Sequence, residues 1–108
     1  MKAIEELKTT EDQYKVIGVS TCHIMAADAA RLEQIRREGN NMVMPRDTGA
    51  FVKLYPDIDG ETRNLEEDYP GFTDAFYNVL KLAKEAGYSM VEFDSAATEY
   101  ESLSSFDW

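Results

Sequence analysis

The segment FTDAFYNVLKLAKEAG, residues 72–87, constrains this chain more than any other stretch. Phe72, Ala75, Phe76, Val79, Leu80, Ala83 and Ala86 recur at i, i+3, i+4 spacing, the pattern of a helix with one apolar face. Lys81 and Lys84 lie toward its C-terminal end, where cations complement the helix dipole, and Gly87 supplies a stop. A helix apolar on one side needs a layer to lie on. Four short segments predict strands for that layer. YKVIGVS (14–20) is rich in β-branched residues and reads as a buried strand. NMVMP (41–45) is a second, which Pro45 either ends or places at an edge. AFVKLYP (50–56) turns Ala50, Val52 and Leu54 one way and Phe51, Lys53 and Tyr55 the other. YSMVEFD (88–94) turns Val91 and Phe93 inward, Glu92 and Asp94 outward. A second helix is predicted over AADAARLEQIRREG (26–39), with Ala26, Ala29, Leu32, Ile35 and the stem of Arg36 on one face and Gly39-Asn40 as its stop.

The predicted order is therefore β-α-β-β-α-β. It implies an α/β fold in which a four-stranded sheet is covered on one face by two helices, of ferredoxin-like type. The second face, with Lys53, Tyr55, Glu92 and Asp94, is expected to be partly wet. At 108 residues the chain is one domain. It divides into a polar N-terminal segment (1–12), in which AIEELK has the makings of a helical turn, a core (13–94) and an acidic, aromatic tail (95–108). The tail is expected to fold back over the open face of the sheet.

Charge is the second constraint. The formal net charge is -10, and it is unevenly spread. Residues 55–78 hold seven acids against Arg63 alone, and residues 92–108 hold five acids and no base. Such a field repels nucleic acid and attracts basic protein surfaces. No apolar run reaches the length of a membrane helix, about 20 residues. The acid-rich start has no apolar h-region, so a signal peptide is not expected. The single cysteine, Cys22, excludes an internal disulfide and fits a reducing cytoplasm.

Three patterns invite a chemical reading. Asp47-Thr48-Gly49-Ala50 spells the signature of the aspartic proteases. Such a site needs the aspartate on a buried loop, paired with a second across a dyad. Here Pro45 and Arg46 precede it, and two strong helices replace an all-β body, so a hairpin turn between strands two and three is expected. Ser20-Thr21-Cys22-His23 places a thiol and the chain's one histidine at the carboxyl end of the first strand, where α/β folds often carry polar sites. Thiolate chemistry needs a base within hydrogen-bond reach, and adjacent side chains tend to diverge. The expected role is a buried Cys and a His closing the strand-to-helix turn; a catalytic or ligand site at Ser20, Thr21, Cys22 and His23 is the alternative. Asp57-x-Asp59-x-Glu61 has a calcium-loop look. The loop pattern requires Gly at position 6 and Glu at position 12, where Thr62 and Asp68 stand. A solvated loop is the expectation, with no metal and no cofactor.

Tyr100, Leu103, Phe106 and Trp108 recur at nearly helical spacing and are expected to dock on the sheet or a helix, or else to anchor a partner or second copy. VSTCHI, ADAARLEQI, the RDTGAFV hairpin and the ending LSSFDW, taken together over residues 14 to 108, resemble a family of small proteins of unknown function carried by phages, plasmids and other mobile elements. The resemblance brings no catalytic residues with it. What it implies is context, since such genes sit among anti-restriction and other anti-defence genes.

The function expected is therefore that of a small acidic, non-enzymatic interaction protein in the cytoplasm. It would inhibit a host defence system (anti-CRISPR or anti-restriction) by presenting a negative, nucleic-acid-mimicking surface to a basic protein site. The residues expected to meet the partner are Asp57, Asp59, Glu61, Glu66, Glu67, Asp68 and Tyr69 in the acidic connection, and Glu99, Tyr100, Glu101, Asp107 and Trp108 in the tail. Direct contact with nucleic acid or membrane is not expected, and a homodimer is a further expectation. The alternatives are the small enzyme or ligand binder built on Ser20–His23, and an immunity-type or regulatory partner of a neighbouring gene product.

Overall fold

The structure is a computed structural model and describes residues 2–38, 43–46, 49–55 and 64–108. Its elements are α1 (Lys2–Thr9), β1 (Val16–Ser20), a 3-10 turn (Thr21–His23), α2 (Ala26–Glu38), β2 (Val43–Arg46), β3 (Gly49–Lys53), α3 (Leu65–Asp68), α4 (Asp74–Glu85) and β4 (Met90–Asp94). Among the described residues this is a mixed α/β fold with one four-stranded sheet and four α-helices.

The sheet order is β1-β4-β3-β2. β4 runs parallel to β1 and antiparallel to β3, and β3 is antiparallel to β2. This corrects the ferredoxin-like expectation. That fold contains two split βαβ units, each joining parallel strands. Here α4 connects β3 to β4, which are antiparallel neighbours, so only β1-α2-β2 is a split parallel crossover. Burial accounts for the placement of β4: Val91 and Phe93 are fully buried, and a strand with that much apolar surface belongs in the middle of the sheet. β2, which carries Pro45, lies at an edge, where the missing N–H costs least. Its hairpin register pairs Arg46 with Gly49. Asp47 and Thr48 lie outside the described residues.

One face of the sheet presents Ile17, Val19, Val43, Ala50, Val52, Val91 and Phe93, consistent with strand alternation and with the pairing register. α2 adds Leu32 and Ile35 to this core, and α4 adds Phe76, Val79, Leu80 and Ala83. Phe76 stacks between Phe72 (3.8 Å between ring centroids) and Phe93 (5.5 Å), which seats α4 on β4. Ala26 and Ala86, expected on the inner faces, are exposed. The helix-free face carries exposed Val16, Met44 and Lys53 and half-buried Glu92 and Asp94, so it is partly wet as expected.

Two glycines are set by geometry. Gly87 has φ +95 and closes α4 with backbone bonds from Gly87 N to Lys84 O and from Tyr88 N to Ala83 O. Gly49 has no left-handed backbone; a Cβ built there would stand 1.7 Å from the carbonyl oxygen of Phe93. The glycine of the protease-like tetrapeptide is thus demanded by the close approach of β3 to β4. No helix among the described residues is long and apolar enough to cross a membrane.

Candidate functional site

The strand-to-helix turn Ser20–Ile24 and the C-terminal tail form one unit. Ser20 caps the 3-10 turn, its hydroxyl accepting from Cys22 N at 3.2 Å. The turn drives His23 inward until it is 2% exposed. Both ring nitrogens then meet the tail. Tyr100 N donates to His23 Nε2 at 2.8 Å, which makes Nε2 the acceptor and leaves Nδ1 to donate to Ser104 O, also 2.8 Å away. The flanking backbone adds Ser20 N to Thr98 O (3.0 Å) and Phe106 N to Cys22 O (2.8 Å). Tyr100 donates its hydroxyl to Gly18 O at 2.7 Å, and the Trp108 indole N–H donates to Ile24 O at 3.0 Å.

The tail therefore follows the outer edge of β1 and wraps the turn, where it had been expected to cover the open sheet face. The physical reason is edge satisfaction: β1 has one unpaired side, and the tail occupies part of it. The two segments VSTCHI and LSSFDW, far apart in sequence, are halves of one hydrogen-bonded seam.

His23 is not placed as a base for the neighbouring thiol. Cys22 Sγ donates to Glu99 Oε1 at 3.5 Å and lies 4.0 Å from Ser105 Oγ, while both His23 nitrogens are engaged with backbone. Ser20, Cys22 and His23 each hydrogen-bond to the tail, and Thr21 O accepts from Ile24 N within the turn. Among the described residues no cluster of three or more His, Cys, Asp or Glu could hold a metal ion.

The predicted partner-binding residues separate into three groups. Asp57, Asp59 and Glu61 lie outside the described residues. Tyr69, expected as an exposed anchor, is 1% exposed and packs edge-on against Phe76. Its hydroxyl donates to Lys53 O and its carbonyl accepts from the Tyr77 hydroxyl at 2.6 Å. The correction has a simple cause: the ring is large enough to fill the core beneath α3, and its polar tip finds a strand carbonyl there. Glu66, Glu67, Glu99, Glu101, Asp107 and Trp108 are exposed, Trp108 at 58%, and Asp68 and Tyr100 are half-buried.

A surface groove of about 970 Å³ runs along α4, between α3 and the tail. Glu66 and Leu65 of α3 border it, as do Leu103, Ser104 and Phe106 of the tail. Asp74, Lys81, Lys84 and Glu85 of α4 also line it, so the lining holds three acids and two lysines.

Asp28 was missed by sequence reasoning. It is fully buried on α2, where its Oδ2 accepts from Met25 N (2.8 Å) and the Thr73 hydroxyl (2.6 Å), and its Oδ1 from Thr73 N (2.7 Å). One carboxylate thus pins the N-termini of both long helices. The available signal was half a capping box, with an acid three residues after the N-cap position reaching back to its N–H. The usual Ser or Thr at that N-cap is replaced by Met25, which hid it.

The family model described as "Family of unknown function (DUF5983) C-terminal domain" matches residues 16–108, so both sides of the seam fall within the match. No curated protein and no solved structure matches the chain.

Proposed function

We propose a function for this chain as a member of the DUF5983 C-terminal-domain family, to which it belongs through residues 16–108: a non-enzymatic interaction protein that binds a basic protein surface. The finer reading is that it serves a mobile element by inhibiting a host defence complex, occupying a nucleic-acid-binding site in place of the phosphate backbone. The supporting observation is the exposure of Glu66 and Glu67 on α3 and of Glu99, Glu101 and Asp107 in the tail, on a chain of net charge -10. Closely spaced carboxylates on a rigid frame can stand in for phosphates, which are themselves closely spaced negative charges. Charge complementarity of this kind steers association and sets register. The exposed ring of Trp108 offers apolar contact area beside the charges.

The test is a titration of the protein against purified basic nucleic-acid-binding complexes from a host defence system, with duplex DNA as competitor. Binding should weaken steeply between low and high salt, and DNA should displace the protein. The combined charge reversal Glu66→Lys, Glu67→Lys, Glu101→Lys and Asp107→Lys should abolish binding while leaving the circular dichroism spectrum unchanged. Salt-independent binding, or binding that survives the four reversals, would rule the acidic surface out as the interface.

A further inference from the structure

His23 is the one histidine of the chain, and the two hydrogen bonds of its buried ring both go to tail backbone. These partners leave no choice of protonation state. Ser104 O is a carbonyl and only accepts, so Nδ1 carries a hydrogen. Tyr100 N is an amide and only donates, so Nε2 offers a lone pair. The neutral ring meets both demands. An imidazolium carries a hydrogen on each nitrogen, and the one on Nε2 would point at the Tyr100 N–H across 2.8 Å. Two donors face to face repel, and the buried charge would go without an acceptor at that nitrogen.

The charged and titratable groups around the ring do not supply that acceptor. On its own turn, the Cys22 thiol donates to Glu99 Oε1 of the tail at 3.5 Å. The Tyr100 ring lies 6.1 Å from the imidazole, and its hydroxyl is committed to Gly18 O. Glu101 and Asp107 of the tail are exposed. On α2, the Asp28 carboxylate is taken by Met25 N and Thr73. Glu66 of α3 and Asp74, Lys81, Lys84 and Glu85 of α4 line the groove that His23 borders. With both ring nitrogens facing backbone, a carboxylate reaches neither of them unless the tail moves aside.

We propose that the C-terminal tail is a proton-gated strap, docked while His23 is neutral and released when the ring takes up a proton. The tail has no helix or strand of its own, so its other attachments go with it. These are Thr98 O to Ser20 N, Phe106 N to Cys22 O and the Trp108 indole to Ile24 O. The direction follows from linkage. The released state binds a proton that the docked state excludes. Docking is therefore fully present above the range in which a solvated imidazole titrates, about pH 6.5, and weakens as pH falls through it. The released-to-docked ratio should rise about thirtyfold between about pH 7.5 and about pH 5. Glu99, Glu101, Asp107 and Trp108 travel with the strap, so its release rearranges part of the surface proposed above to meet a partner.

The experiment is amide hydrogen exchange by NMR on the full chain across that pH range, with rates expressed as protection factors so that the intrinsic pH dependence of exchange drops out. No partner is present, so the outcome is separate from that of the partner titration. Protection at the Tyr100 and Phe106 amides should fall about thirtyfold toward about pH 5, while that at Val91 and Phe93 in the sheet holds. Imidazole nitrogen shifts, which belong to His23 alone, should show the Nδ1–H tautomer at the upper end of the range. His23→Gln keeps a donor and an acceptor but does not titrate. In that variant the pH dependence should vanish, whether or not the tail stays docked. Three results would each overturn the proposal. They are tail amides that keep their protection down to about pH 5, an imidazolium signal while those amides stay protected, and a His23→Gln variant with the wild-type pH dependence.

Discussion

At the scale of single residues, the side chains that matter most act on backbone. His23 is read from sequence as the closure of a strand-to-helix turn, and it is that, but its partners Tyr100 N and Ser104 O lie some eighty residues away. Replacing it with Ala leaves the part-buried Tyr100 N–H and Ser104 carbonyl without their partner. The expected cost is about 3 kcal/mol, read from urea unfolding. Hydrogen exchange at the Tyr100 and Phe106 amides should accelerate well before global unfolding. Gly49 was legible as a turn residue beside Asp47-Thr48; that a Cβ there would strike the Phe93 carbonyl was not, because the clash belongs to a neighbouring strand. Gly49→Ala should destabilise by about 3 kcal/mol, and Gly49→Val by more, in the same unfolding measurement. Asp28 was hidden for a related reason: two of its three hydrogen bonds come from Thr73, on a different helix start.

Among the elements, the long helices and the strands were legible because each announces itself in its own periodicity. α4 is the plainest case, since Phe76, Val79, Leu80 and Ala83 fill the core as their spacing demands. Phe76→Ala removes a ring stacked on both Phe72 and Phe93 and should cost about 4 kcal/mol, a large share of the stability of a domain this size. Thermal unfolding should show it as a strongly lowered or broadened transition. The tail was legible only as aromatics in search of a surface. Its spacing does not reveal which surface, because it forms no helix and docks through its backbone N–H and C=O groups together with the polar tips of Tyr100 and Trp108. Deleting residues 104–108 should remove the acceptor of His23 Nδ1 and the donors to Cys22 O and Ile24 O. Proteolysis near the strand-to-helix turn should then rise, with the sheet intact by circular dichroism.

For the whole molecule, the net charge of -10 acts on every equilibrium the chain enters. Self-repulsion opposes compactness, so added salt should raise the melting temperature of the isolated protein while it weakens any complex with a basic partner. A melting temperature that falls between low and moderate salt would contradict this. The sequence by itself determined the class of fold, the identity of the four strands and two long helices, the inward faces of β3 and β4, and the sign and size of the charge. These follow from local periodicity and from a sum over residues, and neither depends on what lies across space. Only the tertiary structure decided the strand order, the burial of Tyr69, the pinning of two helices by Asp28 and the sealing of His23 under the tail. Each of those depends on a pairing between segments distant along the chain, and such pairings are chosen by the free energy of the assembled core and not by any one segment.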